Sequence, residues 1–94
     1  MAAKTGGSDR VSTKAKLAGE LVVLGNILAD ARERHGFKQS ELAEKLGLPA
    51  SYLSKIENGT RRLDVIELIQ IAEAMGADAS ELIADVQRAL TSPS

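Results

Sequence analysis

The sequence predicts an all-α domain of five principal helices, and three observations predict it. Four glycines, Gly36, Gly47, Gly59 and Gly76, close four successive segments at intervals too short for anything but small helices. Within those segments the apolar residues recur three and four apart, the spacing of one helix face, with no strand-like alternation. The apolar content, 44%, is almost all Leu, Ile, Val and Ala with 2% aromatics, which suits close-packed helices better than sheets. A chain of 94 residues allows one domain with a modest core, too small for an ordinary enzyme cleft.

Residues 1–12 are Gly, Ser, Thr and charge without periodicity and read as a flexible N-terminal arm. Residues 13–35 carry Leu17, Leu21, Leu24, Ile27, Leu28 and Ala31 on one face. Gly19 and Gly25 each weaken that helix by about 1 kcal/mol against alanine, so a break or kink is expected near one of them. His35, the only histidine, ends this helix, where it complements the helix dipole, and Phe37 is expected to plug the core.

The helix 39–46 places Leu42, Ala43 and Leu46 together and stops at Gly47; Leu48 is expected as an apolar plug. Pro49 fits the start of the next helix, 50–57, because it lacks an N–H and its φ is already suitable. Leu53 and Ile56 face inward there. Two helices joined by about four residues including a glycine cross at a wide angle, as in a helix-turn-helix, with Ala43 small enough for the crossing. Asp64 and Glu67 form a capping-box pattern opening a helix over 64–75, with Val65, Leu68, Ile71, Ala72 and Met75 apolar. Asp78 or Ser80 caps a fifth helix, 79–90, carrying Leu82, Ile83, Val86 and Leu90; residues 91–94 read as a frayed tail. The domain proper is therefore expected over 13–90.

Charge is unevenly distributed. Residues 1–62 carry eleven Lys/Arg against seven Asp/Glu, a net +4, while residues 63–94 carry one against six, a net −5. A basic front and an acidic back suit a protein that shows one face to a polyanion. There is no cysteine, no apolar run long enough to span a membrane and no apolar signal core in MAAKTGGSDR, so a cytoplasmic protein without membrane attachment is expected. Nothing resembles a catalytic carboxylate pair, a Ser/His/Asp set, a phosphate loop or a metal cluster; no enzymatic activity, cofactor or metal is expected.

The stretch QSELAEKLGLPASYLSKIENG resembles the helix-turn-helix of the Xre-like (phage repressor and Cro) family of transcriptional regulators. Gln39, Leu42, Ala43, Leu46, Gly47, Leu48, Leu53, Ile56, Glu57 and Gly59 carry the likeness, and it extends through LADARERHGFKQ and RRLDVIELIQIAEAMG over residues 24–82. The resemblance implies a five-helix phage-repressor-like DNA-binding domain, here with an extended first helix. It also implies that Arg32 pairs with Glu57 to fix the second helix of the motif, and that Gln39 contacts phosphate.

With Leu53 and Ile56 inward, the opposite face of helix 50–57 shows Ser51, Ser54, Lys55 and Asn58. Ala50, Ser51, Tyr52 and Lys55 are the candidate base contacts, since Lys55 can donate to guanine, Ser51 can donate or accept and Ala50 can pack on a thymine methyl. Lys38, Gln39, Ser54, Asn58, Thr60, Arg61 and Arg62 are the candidate phosphate contacts, which set affinity and register rather than sequence. The expected function is sequence-specific binding of double-stranded DNA by a transcriptional regulator, as a homodimer on a two-fold-related operator. Ile66, Ile69, Val86 and Leu90 are the candidate seam, with Leu21 and Val22 beside them. RNA polymerase or a regulatory protein is a further candidate partner. The alternative is an antitoxin-like or anti-activator module that binds protein through the same fold.

Overall fold

A computed structural model describes the backbone of residues 6–91 and the side chains of 16–91. Five helices follow in order: α1 (Gly6–Arg34), α2 (Gln39–Leu46), α3 (Ala50–Glu57), α4 (Val65–Met75) and α5 (Ala79–Thr91); there is no strand among the described residues. The bounds of α2 and α3 coincide with the expected ones. Asp64 stands just outside α4 as its cap, and α5 is one residue longer than expected.

α1 is the principal difference. It begins at Gly6, ahead of the expected residue 13, and passes through Gly19 and Gly25 without interruption. At about 1.5 Å per residue its 29 residues reach roughly 43 Å, which accounts for an overall shape of 46 × 24 × 23 Å. The uninterrupted helix at Gly25 has a packing cause. A Cβ there would stand 2.4 Å from the Glu57 carbonyl oxygen and 2.6 Å from that of Ile56, so the missing side chain is what lets α1 and the end of α3 touch backbone to backbone.

Four glycines terminate helices. Gly36, Gly47, Gly59 and Gly76 all have φ between 73° and 84°. Gly59 answers to two demands, since its φ is +76° and a Cβ would also lie 2.8 Å from Val22 Cα and Cγ2. The added turns of α1 therefore cover the end of α3. After Gly47, the N–H groups of Gly47 and Leu48 donate to Glu44 O and Ala43 O at 3.0 and 2.9 Å, closing α2 and turning the chain toward α3.

One core holds the five helices. Leu28 and Ala31 of α1, Leu42 and Ala43 of α2, Leu53 and Ile56 of α3, Leu68, Ile71, Ala72 and Met75 of α4 and Leu82 of α5 are buried together, with Phe37 packed against them. Several residues on the expected apolar faces lie outside it, Leu48, Val65 and Ile83 among them. Leu48 is exposed because the backbone bond to Ala43 leaves its side chain at the rim of α2 and α4. Val65 occupies the first position of α4, ahead of the buried stripe, and Ile83 lies about 100° round α5 from buried Leu82.

Candidate nucleic-acid interface

The Arg32–Glu57 pair joins α1 to the end of α3. Arg32 and Glu57 are only 9% and 8% exposed. Arg32 Nε donates to Glu57 Oε2 at 2.7 Å and Nη2 to Oε1 at 3.1 Å, a bidentate contact. The third nitrogen, Nη1, donates to the Phe37 carbonyl at 2.7 Å. Gln39 Nε2 adds a bond to Glu57 Oε1 at 2.7 Å. Hydrogen bonding to Glu57 raises the Arg32 pKa further. The Glu57 carboxylate thus ties α1 and the first residue of α2 to the end of α3, and Arg32 also holds the loop after α1. No buried side-chain polar atom among the described residues lacks a partner.

Gln39, the expected phosphate contact at the start of α2, joins this lock through its side chain. It is half-buried and bonded to Glu57 at the base of the lock. The first backbone N–H groups of α2 have no intrahelical acceptors, as at any helix start. Lys38 is exposed just before it, and its own N–H donates to Glu41 Oε1 at 2.9 Å, half of a capping box.

On α3 the expected outward face is present. Ala50, Ser51, Lys55 and Asn58 are exposed and Ser54 is half-exposed, opposite buried Leu53 and Ile56. Thr60 is exposed and its hydroxyl donates to the Lys55 carbonyl at 3.2 Å, folding the loop back under the helix end. Arg62 is exposed beside it.

Tyr52 stands apart from the other candidate base contacts. Its hydroxyl donates to Glu67 Oε2 at 3.0 Å and the Arg61 guanidinium lies over its ring, 4.4 Å from the centroid. Arg61 in turn donates from Nη2 to Glu67 Oε2 at 2.9 Å and from Nη1 to Oε1 at 3.3 Å. The hydroxyl of Tyr52 is thus bonded to α4. Burial first, then the bond to Glu67, pushes the Tyr52 pKa up. Arg61, followed by the Asp64 N–H and Tyr52, holds the Glu67 carboxyl down at about 2.

Sequence reasoning placed Glu67 only as a capping residue. It does cap: Asp64 Oδ1 accepts from Glu67 N at 2.7 Å, and Glu67 Oε1 accepts from Asp64 N at 2.9 Å. Its further bonds to Tyr52 and Arg61 depend on α3 and α4 lying side by side, which no local pattern encodes. Lys4, Arg10 and Lys14, basic residues of the expected arm and the helix after it, lie outside the described side chains. Among the described residues no cluster of His, Asp or Glu is arranged to hold a metal, and no helix is long and apolar enough to cross a membrane.

Comparison with known proteins agrees with this geometry. A helix-turn-helix family model matches residues 28–82. Control protein C.MunI from Mycoplasma sp. is 34% identical over 65 residues, 68% of this chain and 88% of that protein. The HTH-type transcriptional regulator RamB of Mycobacterium tuberculosis is 39% identical over 57 residues, 61% of this chain; the chain spans only 12% of RamB. Among solved structures, an XRE-family like protein from Pseudomonas syringae pv. tomato has a TM-score of 0.73 at 39% identity, covering 85% of this chain and 96% of that one. The restriction-modification controller protein C.AhdI from Aeromonas hydrophila has a TM-score of 0.65 at 31% identity, covering 69% and 94%. With the buried lock, the order of the five helices and the matched sequence in agreement, this chain belongs to the Xre-like family of DNA-binding helix-turn-helix transcriptional regulators.

Proposed function

We propose that the protein binds a two-fold-related operator in double-stranded DNA as a homodimer and regulates transcription from it. The observation that carries this reading is the outward face of α3. Ala50, Ser51 and Lys55 stand exposed on a helix whose buried side is locked by Arg32 and Glu57. A helix held this firmly presents its side chains without further ordering, which lowers the entropic cost of binding. In the major groove Lys55 donates to guanine, Ser51 bonds to a base edge and Ala50 meets a thymine methyl. Around it Lys38, the start of α2 at Gln39, Ser54, Asn58, Thr60, Arg61 and Arg62 contact phosphates on either side of the groove. Tyr52 supports α3 from behind.

A helix of eight residues is about 12 Å long and covers a few base pairs, so a second copy is needed for a specific site. The exposed apolar residues favour a self-association seam. Ile66 is 59% exposed and Ile69 37%, and Ile83 and Leu90 are exposed on α5. These residues lie in the acidic C-terminal half, leaving the basic half for DNA.

The test is selection of duplexes from a random pool by the purified protein, followed by a salt titration on the selected site. Enrichment of a palindromic site is expected, with affinity that falls steeply as salt rises. No enrichment, or binding indifferent to salt, would replace this reading with that of a protein-binding module.

A further inference from the structure

We propose that Glu67, which lies on α4 and outside the DNA-facing surface, is a positioning residue for DNA binding: it holds Arg61 over Tyr52 with one edge of the guanidinium free for a phosphate. This rests on the DNA-binding reading above and adds the device that prepares one of its contacts.

The geometry of the hydrogen bonds carries the argument. A guanidinium has five N–H groups in a fixed fork. Glu67 takes the end-on pair of Arg61, Nη1 to Oε1 at 3.3 Å and Nη2 to Oε2 at 2.9 Å. The remaining Nη1 hydrogen goes to the Arg62 carbonyl at 2.7 Å. What is left is the Nε–H and the second Nη2–H. These two point the same way, along the side-on edge, and a side-on edge is the one with which Arg32 grips Glu57 through Nε and Nη2. The same bidentate geometry fits two oxygens of a phosphate.

Each bond to Glu67 contributes to that orientation. Its carboxylate receives four donors besides the charge of Arg61: Nη1 and Nη2 of Arg61, the Tyr52 hydroxyl and the Asp64 N–H. The Tyr52 ring supplies a floor 4.4 Å beneath the guanidinium, so the cation is held in a plane rather than on a free stem. The hub also joins the recognition helix, the loop and the start of α4. An Arg61 held in place loses little rotamer freedom on binding, whereas a released one loses most of it.

Glu67→Gln is the informative substitution, because glutamine at this position still completes a capping box and so keeps the start of α4. Three measurements are made on the full chain, with Arg61→Ala and the double variant alongside: affinity for the selected duplex, affinity for a random duplex, and the salt slope of each. Tyr52 is the only tyrosine and there is no tryptophan, so absorbance titration of the phenol reports on the hub without DNA. In Glu67→Gln the Tyr52 pKa is expected to move back toward its ordinary value, with affinity weaker by roughly two- to tenfold on both duplexes, the effect of freeing one long side chain. In the Arg61→Ala background, Glu67→Gln is expected to add nothing, since its effect passes through Arg61.

Tighter binding by Glu67→Gln would overturn the proposal and make Glu67 a competitor of phosphate. Equal losses with and without Arg61 would also overturn it, since the effect of Glu67 would then not pass through Arg61. Either result with a wild-type protein that still binds DNA in a salt-dependent way leaves the DNA-binding reading intact. A wild-type protein that binds no duplex ends both.

Discussion

At the residue scale the two arginines that meet glutamates differ in what surrounds them. Arg32 gives three of its five N–H groups to Glu57 and Phe37, and it is buried. Removing one partner strands a charge, so Arg32→Leu and Glu57→Leu should each cost about 3–5 kcal/mol, while the double replacement recovers much of the loss. Chemical unfolding of the three variants checks this; a mild effect of the single changes would show that water reaches the pair. Arg61 lies at the surface, and here the contrast is with Lys55. Lys55→Ala should relax preference at one base pair and cost about 1–3 kcal/mol on the selected site. Arg61→Ala should weaken all sequences alike and lower the salt slope by about one. Parallel titrations on specific and random DNA separate the two, and identical behaviour would remove the distinction. Glu67 brings a pH dependence with a definite sign. Its folded pKa, about 2, lies below the ordinary 4.5, so its contribution to stability is complete above about pH 4.5 and is lost as pH falls toward 2. The stability difference between wild type and Glu67→Gln should therefore shrink over that interval in acid unfolding curves. A difference that stays constant would mean the carboxylate is not held as described.

At the scale of helices, α1 contains two glycines with opposite roles. A Cβ at Gly25 would run into the Ile56 and Glu57 carbonyl oxygens, which are backbone atoms and cannot swing aside, whereas at Gly19 it would meet nothing within 4 Å. Alanine is the better helix former by about 1 kcal/mol at either site. At Gly19 that gain should appear as a small rise in melting temperature. At Gly25 it is outweighed by overpacking, which costs about 1–3 kcal/mol or more in a tight contact, and the separation of α1 from α3 disturbs the lock. Gly25→Ala should thus lower stability and DNA affinity together. Thermal melts of the two variants test the assignment, which fails if Gly25→Ala melts no lower than wild type. The start of α4 shows the same dependence on context. Asp64 and Glu67 form a cap that any isolated helix could have, yet the Glu67 carboxylate also reaches Tyr52 and Arg61.

For the whole molecule the arrangement separates two surfaces. The exposed side of α3 and the starts and loops around it carry Lys38, Lys55, Arg61 and Arg62, while α4 and α5 carry exposed Ile66, Ile69, Ile83 and Leu90 within the acidic half. A dimer joined through α4 and α5 would set two recognition helices on one side, spaced by about 34 Å to meet successive major grooves. Ile66→Glu should shift the free protein toward monomer in sedimentation and weaken binding to a full operator far more than to a half-site. A wild-type monomer at micromolar concentration that binds a half-site as tightly as a full one would refute the dimer.

The local pattern settled where α2 to α5 lie, because caps and stops are short-range chemistry. Gly47 and Gly76 adopt positive φ after their helices, and Asp64 and Glu67 close on one another within a single turn. The inward positions Leu42, Ala43, Leu53 and Ile56 were equally legible, since a helix face follows from periodicity alone. Arg32 with Glu57 was readable only through family likeness, being 25 residues apart. Tertiary structure decided what lies between helices. It made Gly25 a contact rather than a kink, bonded Gln39 to Glu57 and Tyr52 to Glu67, and left Val65 and Ile83 outside the core. The reason is common to all of them. A side chain's period fixes its angle around its own helix, but which neighbour meets that angle depends on how the helices cross, and that is set by the packing of the whole core.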